Sequence, residues 1–174
     1  AAIVDPRPHA VGRIAELYRR YPHVGAALPA VGYSPEEVRD LEATIRANPD
    51  GSLGLFYCLR GDIARLRIPE DCAPERMDQL WEHTCFEAFI AVRGESAYRE
   101  FNFSPSGQWA AYAFKDYRQA VDQVPVIAPP TIVTRRFAGR IEVDVVVPAP
   151  SLPSERGQWQ LRLSAVVEEA DTAD

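Results

Sequence analysis

No apolar run in this chain of 174 residues approaches the ~20 needed to span a bilayer, so the sequence offers no membrane partner. Positive charge is also scarce, with 19 Lys and Arg against 25 Asp and Glu, a net charge of -6, and no basic stripe. Affinity for a phosphate backbone comes largely from clustered cations, so nucleic acid is not an expected partner. Cys58, Cys72 and Cys85 form an odd set without any C-x-x-C spacing. That pattern points to neither a disulfide framework nor a zinc site; it fits buried free thiols in a reducing compartment, with a cytoplasmic location expected. The N-terminus lacks a start Met and the charged-then-apolar layout of a signal peptide, so it is read as processed or as a fragment. G-x-S-x-G and H-E-x-x-H are absent as well, which leaves acyl transfer and metal-assisted hydrolysis without support.

What is present suffices for one core: 47% of residues are hydrophobic and 25% charged. In HAVGRIAELYRRYPH, Ile14, Leu17, Tyr18 and Tyr21 recur at helical spacing until Pro22 stops the run. In SPEEVRDLEATIRANPDG, Ser34 suits an N-cap, Pro35 the first turn and Glu37 a capping box, while Val38, Leu41 and Ile45 make an apolar stripe. This second predicted helix ends in the turn-forming cluster Asn48, Pro49, Asp50, Gly51. A helical segment over 1–48 is therefore expected to precede a β domain over 49–174.

From residue 52 the pattern is strand-like. SLGLFYCLRGDIARLRIP reads as two short strands flanking a turn at Gly61-Asp62, and EHTCFEAFIAVRGESAYREFNFS as a longer hairpin. In RIEVDVVV, Ile141, Val143 and Val145 alternate with Glu142 and Asp144; in QWQLRLSAV, Trp159, Leu161 and Leu163 alternate with Gln160, Arg162 and Ser164. Each of those strands is predicted to have one wet face. VPVIAPPT holds too many prolines for a central strand and reads as a connection or an edge. Short strands joined by Gly and Pro turns predict an antiparallel β-sandwich.

A hairpin turn centred on Gly94-Glu95 puts Glu87 opposite Asn102, Phe86 opposite Phe103 and Cys85 opposite Ser104. One face then carries Phe86, Ala88, Ile90, Val92, Ala97, Phe101 and Phe103 and reads as core, with Arg99 near its end. The other carries His83, Cys85, Glu87, Phe89, Tyr98, Glu100, Asn102 and Ser104. Open sheet surfaces usually bear Lys, Thr and Arg, so this mixture of Cys, Phe, Asn and His reads as a pocket floor. Trp81, Trp109 and Tyr112 are candidate rings around it. Sugars and other polyols need this combination of flat rings and fixed hydrogen-bonding side chains. Packing roles stand beside that reading: Trp109 as cover for the sandwich end, Glu87 with Asn102 as a structural pair, and Ser104, Ser106 and Gly107 as a plain turn.

LWEHTCFEAFIA followed by YREFNFSPSGQWAAYAFKDYR resembles the DOMON-like domain proteins of bacteria, a branch related to family 9 carbohydrate-binding modules, over roughly Asp50 to Val167. The resemblance implies a β-sandwich that binds sugar or, in other branches, heme, often beside a catalytic partner; some bacterial members are grouped with a cell-wall precursor reductase. It places Trp81, Glu87, Asn102 and Trp109 nearest the ligand, with His83, Ser104 and Tyr112 as further candidates from the hairpin geometry. Chains of this kind run on into an aromatic, Pro- and His-rich segment, whereas this one stops at EEADTAD. The first quarter of the chain is similar to part of a GTPase-like protein related to cyclic 2,3-diphosphoglycerate synthetase. It contains no G-x-x-x-x-G-K-[ST] phosphate loop, so it reads as an appendage or remnant.

The expected function is a non-catalytic module for a carbohydrate-like ligand, with no resident cofactor, and with a homodimer or a catalytic partner as possible company. Heme is an alternative ligand, for which Met77, His9, His23 and His83 are the available axial groups. Glu87 and Glu100 share a face as a glycosidase pair would, which keeps a glycoside-acting enzyme open. An interaction scaffold built on an exposed edge strand is the third alternative.

Overall fold

In the computed structural model the described residues are 38–116, 119–121, 128–153 and 159–170, together with the backbone of strands within 2–29. The chain is mainly β. Its strands are β1 (Ala2–Val4), β2 (Val11–Gly12), β3 (Glu16–Tyr21), β4 (Val24–Pro29), β5 (Val38–Ala47), β6 (Leu53–Gly61), β7 (Cys85–Val92), β8 (Tyr98–Phe103), β9 (Trp109–Asp116), β10 (Gln119–Val121), β11 (Thr131–Phe137), β12 (Arg140–Val147) and β13 (Trp159–Val167). An eight-stranded sheet runs β10-β9-β8-β7-β13-β3-β4, with β1 also paired to β13, and a five-stranded sheet runs β11-β12-β6-β5-β2. All pairings are antiparallel except β13 with β3.

The helices expected in the first 48 residues are not observed among the described residues. Glu16–Tyr21 is strand β3 and Val38–Ala47 is strand β5, which pairs along its length with β6. Ser34, Pro35 and Glu37, the expected cap, lie outside the described residues. The error over β5 has a local cause. A β-bulge between Val38 and Asp40 gives this strand one extra residue, so Val38 and Leu41, three apart, fall on the same side. Beyond the bulge Leu41, Ala43, Ile45 and Ala47 point inward in strict alternation. An i, i+3, i+7 stripe thus arises from a bulged strand, without any helix. The strand also carries the five-stranded sheet across the boundary expected at 48/49.

Other expectations hold in part. The hairpin register is as predicted, with Phe86 paired to Phe103 and Glu87 to Asn102. The turn uses Gly94 at φ +89°, a left-handed conformation that a Cβ disfavours. RIEVDVVV forms β12 with Ile141, Val143 and Val145 buried. The second strand expected after Gly61-Asp62 reduces to a short 3-10 turn, Ile63–Arg65, and a single bridge from Leu66 to Glu169. Within VPVIAPPT, residues 124–127 lie outside the described residues, and Ala128 to Pro130 lead into the edge strand β11.

The inward faces of both sheets share one buried cluster, so the two sheets form layers over a single core. Leu53, Leu55, Tyr57 and Leu59 come from β6, Ile141, Val143 and Val145 from β12, and Phe86, Phe101, Phe103, Leu161 and Leu163 from the larger sheet. The rings of Phe101 and Phe103 stack 6.2 Å apart, and Tyr57 meets Phe86 at 5.0 Å. Tyr57 is fully buried, and its hydroxyl crosses between the layers to donate to the Glu87 carbonyl at 2.9 Å. A buried hydroxyl must find such a partner. Tyr57→Phe is expected to cost about 1 kcal/mol, read as a lower urea midpoint at unchanged slope.

Candidate functional site

The connection from Asp62 to Thr84 frames the outer face of the eight-stranded sheet. Arg67 N donates to the Glu168 carbonyl at 2.8 Å, Cys72 N to Ser106 O at 3.0 Å and Trp109 N to Glu75 O at 3.1 Å, so the segment passes the end of β13, the β8–β9 turn and the start of β9. Gln79 then takes a left-handed conformation, φ 63°, and a 3-10 turn over Leu80–Glu82 folds onto the sheet. Leu80 packs there against Cys85, Ala110 and Val166, with Tyr112 beside them.

Beneath this cover lies a polar row. Register aligns Ser164 of β13, Glu87 of β7, Asn102 of β8 and Ala110 of β9. The next row is Arg162, Phe89, Glu100 and Tyr112. Glu87 is 7% exposed, and Asn102 and Ser164 are completely buried. Ser164 Oγ donates to Glu87 Oε2 at 2.6 Å, and Asn102 Nδ2 donates to Glu100 Oε1 at 3.2 Å. Glu87 and Asn102 therefore share a face and are cross-strand neighbours, but each takes a different partner. Asn102 Oδ1 is buried and has no hydrogen-bond partner among the described residues. An orphaned buried acceptor of this kind costs about 1–3 kcal/mol.

The carboxyls are shifted accordingly. Burial pushes Glu87 above the usual carboxylate range, and the Ser164 hydroxyl only partly offsets this. Burial, and then the neighbouring Glu87 charge, raise Glu100 to about 7, against a smaller lowering by Asn102. Trp81 and Tyr112 form the ring wall, edge to face at 5.5 Å. The Tyr112 hydroxyl donates to Asp78 Oδ1 at 3.0 Å, and burial together with that carboxylate raises its pKa. Trp81 remains 38% exposed.

The remaining predicted residues go elsewhere. Trp109, paired with Phe103, faces inward and belongs to the main core, with the Arg76 guanidinium 6.0 Å from its ring, so it is not presented to the outer face. Ser104 is buried in the turn, where its Oγ accepts from Ser106 N at 3.2 Å and Ser106 Oγ at 2.8 Å. His83 is exposed, its Nδ1 held 2.8 Å from Glu168 Oε2. Met77 is exposed on the same connection. Among the described residues no group of three or more His, Cys, Asp or Glu is placed to hold a metal ion.

Sequence reasoning put Ser164 on a wet face, whereas it is the buried partner of Glu87. Finding it required the pairing of β13 beside β7, a contact 77 residues long in sequence that no local pattern announces. Leu80 as cover and Asp78 as the Tyr112 partner were missed for the same reason. Chemically the floor is rich in acceptors: two carboxyls and a free amide oxygen. It suits a ligand that brings several hydroxyl donors.

Because Glu87 and Glu100 bind protons more tightly in the folded chain than in the unfolded one, stability falls as pH rises from the ordinary carboxylate range through about 7. Between about pH 5 and about pH 8, Glu100→Gln should reduce that loss by roughly 1–3 kcal/mol, a range that allows for partial exposure, in urea titrations at the two pH values. Equal pH dependence in both proteins would show that Glu100 titrates normally.

No family model matches the chain, and no solved structure matches it significantly. In the N-terminal region, 51 residues, 29% of the chain, are 53% identical to arginine synthetase ArcE of Thermococcus kodakarensis. That match covers 11% of the relative's own length.

Proposed function

We propose that the chain is a β-sandwich module of the DOMON type, related to family 9 carbohydrate-binding modules, that binds a carbohydrate or similar polyol on the outer face of its larger sheet without transforming it. The observation that carries this reading is Asn102 Oδ1, a fully buried acceptor without a partner among the described residues, set beside Glu87 and Glu100. Asn102 has no solvent exposure, so a ligand hydroxyl reaches this oxygen only if the covering side chains shift, and donating to it would then remove the penalty of the empty site. Asn102 and Glu100 fix the hydroxyl geometry, Glu87 is anchored by Ser164, and the exposed face of Trp81, braced edge-on by Tyr112, stacks on a sugar ring. Among the seven expected contact residues, Trp81, Glu87, Asn102 and Tyr112 keep ligand or supporting roles; Ser104, His83 and Trp109 serve the turn, the rim and the core.

The module reading includes a separate catalytic or homodimeric partner and a cytoplasmic location, the latter supported by the two buried free thiols Cys58 and Cys85 and the exposed free thiol Cys72. Among the described residues no helix is long and apolar enough to cross a membrane. The arginine synthetase match concerns the N-terminal region and does not supply the residues of this floor.

A thermal-shift screen of mono- and disaccharides and peptidoglycan fragments tests the proposal, since a ligand of the folded state raises the melting point. One sugar class should stabilise the wild type, and Trp81→Ala, at an exposed position, should weaken its binding at least about tenfold. Silence across the panel, or hydrolysis of chromogenic glycosides that stops in Glu87→Gln, would overturn it.

A further inference from the structure

At the turn end of the same hairpin the described residues line an open hollow of about 350 Å³, to which Glu95 and Ala97 of the turn and Tyr98 and Phe114 of the outer face also contribute. Register sets Ile90, Arg99 and Ala113 in one row along it, on the core-facing side of the sheet, and Val92, Lys115 and Pro153 line it as well. One row nearer the centre, Ala88, Phe101 and Ala111 are buried and apolar. Arg99 thus stands where the core ends and a hollow begins. Its Nη1 donates to the Ser151 carbonyl at 2.6 Å, while Ser151 Oγ in turn donates to Ala128 O at 2.7 Å. This fixes one edge of the guanidinium and leaves most of its five N–H donors for another acceptor. Partial burial makes its charge harder to carry. Among the described residues no carboxylate forms an ion pair with Arg99, although Glu95 lines the same hollow.

A half-buried cation is costly without a compensating charge. We propose that this cavity binds a small amphiphilic carboxylate, held two-pronged by Arg99, with its apolar part against Ile90, Val92, Ala113 and Pro153. The planar guanidinium matches a carboxylate in this way, and exposed Lys115 adds a second positive charge at the rim. The volume lies at the small end of ligand pockets, which suits a medium-length chain or a single ring. A neutral sugar has neither the anion nor the apolar body. This proposal therefore does not depend on the carbohydrate floor.

Isothermal titration with octanoate and with octanol, its uncharged counterpart, is the test. Octanoate should bind at one site per chain, with octanol at least about tenfold weaker. Arg99→Met should weaken octanoate by at least about tenfold while leaving octanol binding unchanged. Ala113→Leu, which keeps Arg99 but fills the hollow, should abolish binding of both and decides the matter if Arg99→Met does not fold. Absence of octanoate binding at millimolar concentration, equal affinity for octanoate and octanol, or full octanoate affinity in either variant would overturn the proposal.

Discussion

The hydrogen bond from Ser164 Oγ to Glu87 Oε2, 2.6 Å long and buried, ties β13 to the central hairpin. It exists only in one register. A slip of one residue along β7 would send Glu87 into the core and bring Phe86 out, exchanging every inward side chain for an outward one. The same register sets Asn102 beside Glu87 and Glu100 beside Tyr112, so the polar row and the core are two outcomes of one alignment. Tyr57 reinforces it from the other layer by bonding to the carbonyl of Glu87.

The polar row is expensive to keep. Two carboxyls lie on one partly sheltered face, both displaced from their ordinary titration range, and an amide oxygen is unmet. Apolar replacements at such positions commonly stabilise a fold. On the proposed reading, retaining them gives up stability for a preorganised set of acceptors. The turn of Leu80–Glu82 makes this arrangement asymmetric: it seals the Cys85–Val166 end with Leu80, while the face opens toward Phe89 and exposed Arg162.

Local alternation made the outer half of the fold legible. Gly94 at a positive φ and the alternating β7 and β8 sequences located the hairpin, its register and the two faces from residues less than twenty positions apart. Contacts that depend on distant chain were not legible: Ser164 under cover, Leu80 as that cover, and Trp109 turned inward by its pairing with Phe103. The bulge at Val38 to Asp40 misled for a different reason. Inserting one residue into a period of two produces a spacing of three, which periodicity alone cannot distinguish from a helical turn.

The position of β13 has a consequence for how the chain is made. Strand β13, Trp159–Val167, follows the hairpin in sequence yet lies in the interior of the larger sheet, between β7 on one side and β1 and β3 on the other. During synthesis the hairpin must wait with the β7 edge that β13 covers unpaired, and Glu87 without its hydroxyl partner, until β13 arrives. Such late, long-range closure slows folding and leaves a sticky template open to other chains, so chaperone demand should fall mainly on this interval.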